Sequence, residues 1–555
     1  MSVAAQTRAG VRVNDYDVIV VGAGFSGLYA LHRLRKLGFS TRVLERGSGV
    51  GGTWFWNRYP GARCDIESVD YCYSFSEELL DDWTWTERYA AQPEILRYLD
   101  HVADRFDLRR DIELNAEVES AHFEDQRDRW MITTTQRERF TCRWCVMATG
   151  NLSTIKRPAF AGLGEFEGEW FHTGQWPPEG VDFSRKRVAV IGSGSTAIQA
   201  IPQIARQADQ LYVFQRTPNY SMPAQNRPLS LEEQREVVSD YARRRKFAQA
   251  SDAGIPFPAP TKAVFEVTPA ERHRMFEEGW SRGGINSLSY AFTDFFSNHA
   301  ANSTAAEFTR QKIREIVRDP EVAEALCPYQ HIGTKRTCVD INYFETYNRD
   351  NVHLIDLRRE PLQQITGRGI RTDAGEYEVD SIVFAIGFDA MTGALREIDI
   401  CGANGASLSE HWSEGPRTYL GLAMAGFPNM FTVTGPGSPS VLSNMVVSIE
   451  QHVDWISDCI EAMRARGVTR VQATDEAEQD WVQHVSTLAE GTLYPLAQSW
   501  YVGANIPGKP RVFMPYVAGC GTYRQECDAV AADGYRGFAL KTRSESSPAQ
   551  ERVSA

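Results

Sequence analysis

Two glycine-rich turns hold the residues whose types and spacing are best suited to chemistry. Gly22-Ala-Gly24-Phe25-Ser26-Gly27 follows the apolar run Asp17-Val-Ile-Val-Val, and Gly192-Ser193-Gly194-Ser195-Thr196-Ala197 follows Arg187-Val-Ala-Val-Ile. In each, the first small residue permits a tight turn and the second lets a pyrophosphate approach the backbone. The third lets the next helix pack on the strand, a place where alanine is tolerated. Free N–H groups at the helix start then face the phosphates. The two units differ where the ribose sits. Thr41-Arg-Val-Leu-Glu45 ends a strand with a carboxylate suited to ribose hydroxyls, whereas Leu211-Tyr-Val-Phe-Gln leads into Arg216 and Thr217. An arginine suits a 2′-phosphate, which a carboxylate would repel. The first site therefore reads as FAD, the second as NADPH, and the chemistry as hydride transfer between them.

Strands and helices must position these turns. Helical spacing over 28–37 and 198–204 completes each strand–turn–helix unit. The apolar runs Val146-Met-Ala148-Thr149-Gly150 and Ile382-Val-Phe-Ala385-Ile386-Gly387 flank the second unit and read as points where the chain leaves one domain and returns to it. The expected fold is α/β, with two Rossmann-like dinucleotide-binding domains, the second inserted in the first. The FAD domain takes 1–150 and 386–540, and the NADP domain takes 151–220 and 331–385. A helical excursion occupies 221–330, with helices expected over 231–248 and 305–317. A leader to about residue 14 and a tail over 541–555 read as loose ends.

Composition bounds the rest. At 555 residues, 42% hydrophobic and 24% charged, the chain is a multidomain globular protein. Its formal charge of −13 argues against a nucleic-acid partner. No apolar run reaches membrane-spanning length, and the leader lacks a secretory pattern, so a cytoplasmic protein is expected. Without a heptad or apolar seam it reads as a monomer. Cys142 and Cys145 form a CxxC within a strand pattern; no second pair completes a zinc set, and they read as packing residues with no metal.

Between the two turns lies Phe166-Glu-Gly168-Glu-Trp-Phe-His172-Thr-Gly-Gln-Trp176-Pro177, and after the first lies Gly51-Gly52-Thr53-Trp54-Phe-Trp-Asn57-Arg58-Tyr59-Pro60-Gly61-Ala-Arg63-Cys-Asp65-Ile-Glu-Ser68. Both resemble fingerprints of the flavin-dependent Baeyer–Villiger monooxygenases, nearest to the phenylacetone and steroid monooxygenase group, and the resemblance extends from about residue 16 to 538. Supporting stretches are Gln92-Pro-Glu-Ile-Leu-Arg-Tyr, Gly333-Thr-Lys335-Arg336, Thr434-Gly-Pro-Gly-Ser-Pro-Ser440 and Trp500-Tyr-Val-Gly-Ala-Asn505-Ile-Pro-Gly. The resemblance implies conversion of aryl, cyclic or bulky ketones to esters or lactones with NADPH and O2 through a flavin peroxyanion, and sulfoxidation as a side activity.

It also implies roles residue by residue. Arg336 is the catalytic arginine and Asp65 its partner. Lys335 assists Arg216 at the 2′-phosphate, and Trp500 lies on a loop closing over the nicotinamide. His172 acts through the linker between domains. Further flavin contacts fall at Arg46, Gly52, Thr53, Trp54, Asn57, Tyr71, Val118 and Met445. Further NADP contacts fall at Arg63, Ser193, Ser195, Thr196, Gln199 and Thr217. Asn151, Leu152, Thr337, Ser440, Val441 and Leu442 are expected in the ketone pocket. An amine- or sulfide-oxidising flavin monooxygenase is the alternative, although its fingerprint generally lacks the Trp176-Pro177 ending. A disulfide reductase would need a cysteine pair against the flavin, and a non-catalytic redox sensor would not need Asp65 with Arg336.

Overall fold

The computed structural model describes residues 13–542. Its first sheet begins with β1 (Val13–Val21), β2 (Thr41–Leu44), β3 (Ile112–Glu113), β4 (Val118–Glu124), β5 (Arg129–Thr134) and β6 (Arg139–Met147). The chain then crosses to a second sheet with β7 (Glu169–His172), β8 (Arg187–Ile191) and β9 (Gln210–Gln215). A parallel pair, β10 (Ser221–Pro223) with β11 (Cys338–Asp340), brackets a helical stretch, and β12 (Val352–Asp356) rejoins the second sheet. The antiparallel meander β13 (Leu362–Thr366), β14 (Gly369–Thr372) and β15 (Glu376–Glu378) precedes β16 (Ser381–Phe384). Finally β17 (Asp399–Cys401) and β18 (Met430–Thr432) return to the first sheet, and β19 (Val468–Ala473) pairs with β20 (Phe538–Thr542).

The first sheet runs β17-β4-β5-β6-β1-β2-β3, with β18 also beside β6; the second runs β12-β9-β8-β16-β7 and is parallel throughout. Such strands are buried on both faces, which explains the unbroken apolar runs at Val18–Val21 and Val188–Ile191. Helix Phe25–Lys36 packs against the first sheet and against helix Met445–Ala465, which arrives from far down the chain. Helix Ser195–Ala205 does the equivalent in the second unit.

The helical stretch holds Leu231–Ser239, Tyr241–Ala250, Pro269–Arg282, His299–Ile316 and Pro320–Leu326. The single helix expected over 231–248 is two, parted at Asp240 (φ −122°, ψ 17°). The second of these is anchored by ions. Arg245 Nη2 meets Glu450 Oε2 at 2.7 Å with both side chains almost fully buried, and Glu450 also accepts from Ser74 N and Oγ at 2.6 Å each. Arg244 grips Asp70 with two bonds of 2.7 and 2.6 Å.

Both ends are tied further out than expected. Val13 and Asn14 pair with Arg139 and Phe140, and Lys541 and Thr542 belong to β20, because pairing satisfies their backbone groups. The rest of the leader and tail lie outside the described residues. Cys142 and Cys145 are buried on β6, and every cysteine among the described residues is free. No helix among these residues is long and apolar enough to cross a membrane.

Burial of neutral imidazoles makes stability depend on pH. Burial lowers His452 to about 3, with Arg524 adding to the effect, and lowers His172 and His32 to about 4. In the unfolded chain these rings take up protons near pH 6.5, so their contribution is present above that value and is lost as pH falls towards 4. Asp340, pushed up to about 6 by burial, works in the opposite direction between pH 6 and 4. Asp70 and Asp454, also raised by burial but with Arg244 and Arg33 holding the rise back, act with Asp340; the three rings outweigh them, and Tm is expected to fall between pH 7 and 4.5. A thermal melt series on the native protein and His452→Gln checks this, the variant giving the flatter profile.

Candidate active site

A cavity of about 1050 Å³ lies between the two sheets, larger than the ~300–1,000 Å³ of an ordinary small-molecule site. Both glycine-rich turns open into it, at the carboxyl ends of β1 and β8. Each turn abuts the place where the chain crosses between sheets. A Cβ on Gly22 (φ +104°) would lie 2.6 Å from the Ala148 carbonyl oxygen, and one on Gly192 (φ +132°) would lie 2.2 Å from that of Ala385. Only glycine tolerates both the dihedral and the contact.

The first turn is completed by Glu45, whose buried carboxylate accepts from Ala23 N and Gly47 N at 2.7 Å each while lining the cavity. Gly24, Phe25, Ser26, Arg46, Gly52, Thr53, Trp54, Asn57, Tyr71, Val118 and Met445 share that lining. Trp54 and Tyr71 meet edge to face with centroids 5.9 Å apart, and Phe25 meets Tyr71 at 5.2 Å. Gly27 does not line the cavity. A Cβ there would sit 1.8 Å from the Gly22 carbonyl oxygen, so this glycine serves helix packing.

At the second turn Ser193, Gly194, Ser195, Thr196, Gln199, Arg216, Thr217, Lys335 and Trp500 line the same cavity. A Cβ on Gly194 would meet nothing within 4 Å, leaving backbone open to a ligand. Burial and the neighbouring Arg216 both lower the Lys335 pKa, as expected where cations are gathered without a counter-ion. Arg63 lines the cavity too, but its guanidinium is bound to the Glu87 carboxylate and the Tyr89 carbonyl, which weakens the expectation that it binds NADP.

Asp65 and Arg336 meet between the turns. Nε and Nη2 of Arg336 each donate to Asp65 at 2.8 Å, and Nη1 donates to the Val441 carbonyl at 2.6 Å. Burial opposes the charge on Arg336, but Asp65 outweighs it and holds the guanidinium protonated. The Asp65 loop is braced on the second unit, with Tyr59 donating to Gln199 at 2.8 Å and Gly61 pressed against the Gln199 carbonyl. A fixed cation in a partly dry cavity can stabilise an oxyanion without reorganising.

The sequence of this chain matches the pyridine nucleotide-disulphide oxidoreductase family profile over residues 19–247, which includes both turns. It is 43% identical over 524 residues to the Baeyer-Villiger monooxygenase of Pseudooceanicola batsensis, covering 94% of this chain and 95% of that protein. The chain belongs to the Baeyer–Villiger monooxygenases. The acetone monooxygenase (methyl acetate-forming) of Gordonia sp. strain TY-5 is 41% identical over 527 residues, covering 94% of this chain and 99% of that protein. The solved structure of oxidized steroid monooxygenase bound to NADP superimposes with a TM-score of 0.91 at 51% identity, covering 95% of this chain and 99% of that one.

In this Baeyer–Villiger monooxygenase none of Phe166, Gly168, His172, Trp176 or Pro177 lines the cavity. The run instead seams β7 onto β16, with Glu169–His172 paired to Ser381–Phe384. His172 is buried, and its Nδ1 accepts from Gly174 N at 3.0 Å. Phe166 packs into the core of the second unit, and Trp176 lies buried among Phe171 and Phe183.

Of the expected ketone-pocket residues, Asn151, Leu152 and Val441 line the cavity, and Thr337, Ser440 and Leu442 do not. Thr337 lies buried in the irregular stretch between Arg336 and β11, off the cavity wall. The Ser440 hydroxyl is taken by Asn151 Nδ2 at 2.5 Å, and Leu442 packs with Tyr494, Tyr501 and Met514. Ser440 is held at φ +40°, a strained conformation placed beside the Val441 carbonyl that receives Arg336. Tyr501, next to Trp500, was not anticipated. Its phenol, pushed up to about 12 by burial against the pull of Arg336, lies beside that guanidinium.

Proposed function

We propose that this chain is an FAD-containing, NADPH-dependent monooxygenase that converts ketones to esters or lactones with O2. The observation that carries the reading is the Arg336–Asp65 pair, aimed into one cavity that both dinucleotide turns share. A bound flavin would supply the oxygen-inserting chemistry, with the nicotinamide as reductant and dioxygen as oxidant. Glu45 is placed for its ribose, and Trp54, Tyr71, Val118 and Met445 for its ring region. Arg216 and Lys335, which line the cavity at the second turn, would hold the coenzyme's 2′-phosphate. Arg336 offers a permanent positive charge to the oxygen of the ketone as it becomes anionic, and Asp65 fixes where that charge points. Asn151, Leu152 and Val441 border the ketone, and the choice of aryl, cyclic or bulky substrates rests on the family resemblance. His172 acts by fixing the second unit at its connection to the first. We take the FAD domain as 1–150 with 386–540, the NADP domain as 151–220 with 331–385, and the protein as a cytoplasmic monomer.

The test is the mass of the product from purified protein, NADPH, ¹⁸O₂ and one bulky aryl or cyclic ketone. An ester carrying one heavy oxygen is expected. Hydrogen peroxide with unchanged ketones across acyclic, cyclic and aryl classes would overturn the reading. Coenzyme choice gives a separate expectation. Arg216→Ala should raise KM for NADPH at least ~10-fold and leave KM for NADH nearly unchanged, because only the former carries the phosphate.

A further inference from the structure

Three cations face the part of the cavity that lies beyond the second glycine turn. Arg216 begins the loop after β9, Lys335 precedes Arg336, and Lys156 comes from the peptide that crosses from β6 to the second sheet. Among the described residues, no carboxylate lies within ion-pair distance of any of the three, and none of their side chains is engaged in a hydrogen bond with the protein. In a chain of net charge −13 with acidic groups in excess, three unmatched cations lining one wall call for an anion.

We propose that Lys156 is a third cation of the coenzyme's 2′-phosphate site, acting with Arg216 and Lys335 as a determinant of NADPH preference. The inference rests on the reading of the second turn as the NADPH site. The position of Lys156 supports it. Its backbone N–H donates to the Gly387 carbonyl at 2.9 Å, and Ile155 bridges to Phe388, so the lysine stands on a paired, defined stretch of chain. Burial and the nearby Arg216 both disfavour the charged form of Lys156, the same combination that acts on Lys335. A dianionic phosphate placed among them would relieve that repulsion. Because Lys156 belongs to the crossing peptide, it would also tie the phosphate directly to the connection between the two units, which neither Arg216 nor Lys335 does.

The experiment measures Kd for NADP⁺ and NAD⁺ by perturbation of the flavin absorbance in the FAD-loaded protein. The native chain, Lys156→Gln, Lys156→Arg and Arg216→Ala are compared at low and high salt. Lys156→Gln should weaken NADP⁺ binding about 10-fold, leave NAD⁺ binding unchanged and flatten the salt dependence, and Lys156→Arg should restore most of the loss. Equal weakening of both coenzymes would assign Lys156 to the shared pyrophosphate or to structure and overturn the proposal. So would an unchanged NADP⁺ affinity while Arg216→Ala still loses discrimination, which leaves the NADPH reading intact. A native protein that binds NADP⁺ and NAD⁺ alike would instead remove the reading beneath it. An unaltered flavin spectrum and FAD content show that each variant is folded.

Discussion

Arg336→Ala is expected to abolish ester formation, lowering the rate by about a hundredfold or more, with FAD content unchanged. The guanidinium is held by three bonds, two to Asp65 and one to the Val441 carbonyl, and needs no rearrangement to meet a developing negative charge. Truncation removes that charge from the cavity wall. It also leaves Asp65 as a half-buried carboxylate without its partner, so the local field reverses sign. Arg336→Lys should rescue little, because a point charge cannot span both carboxylate oxygens and the Val441 carbonyl at once. Asp65→Ala should fall between the two, since the cation remains but is no longer aimed. Ester yield by gas chromatography, measured beside NADPH consumption, separates lost insertion from lost reduction. Native ester yield from Arg336→Ala would sink the assignment.

The second large effect concerns stability and lies away from the cavity. Glu450→Ala leaves Arg245 charged in a buried setting and also strips Ser74 of two bonds. Breaking a buried pair in this way costs about 3–5 kcal/mol. Because Arg245 belongs to the helical stretch and Glu450 to helix Met445–Ala465, the loss should loosen their junction. Tm should drop by several degrees, and proteolysis within 231–250 should quicken. Arg245→Met combined with Glu450→Leu should recover much of the loss, since two apolar side chains of similar size impose no desolvation cost. A double variant no more stable than Glu450→Ala would mean that the Ser74 bonds, not the ion pair, hold the junction.

What could be read in advance follows how local each determinant is. The two turns were legible because their chemistry lies within six consecutive residues whose glycines answer to separate physical needs. Glu45 and Arg216 were legible because each lies at a set distance past its turn. The Arg336–Asp65 pair was reachable only through family resemblance, for nothing local joins residues 271 positions apart. Tyr501 beside Arg336, the bond from Arg336 to the Val441 carbonyl and Lys156 on the cavity wall went unseen for the same reason, since tertiary packing alone brings them together. Thr337, Ser440 and Leu442 show the opposite error. Each neighbours a cavity residue in sequence, yet none lines the wall: Thr337 is buried, the Ser440 hydroxyl is already bonded and Leu442 is taken by apolar packing. The break at Asp240 was missed because apolar periodicity runs through it.

The nesting of the sheets has a consequence for the order in which a ribosome can release a finished product. Every strand of the second sheet, β7 to β16, has been synthesised once Phe384 emerges. The first sheet, although begun at residue 13, still lacks β17, β18 and the long helix Met445–Ala465 that covers helix Phe25–Lys36. The usual sequence of domain folding during translation, amino-terminal part first, is therefore inverted here. The inner unit can mature while the outer one waits as an open edge, and a chain stalled near residue 390 would release one folded unit with an unfinished sheet attached.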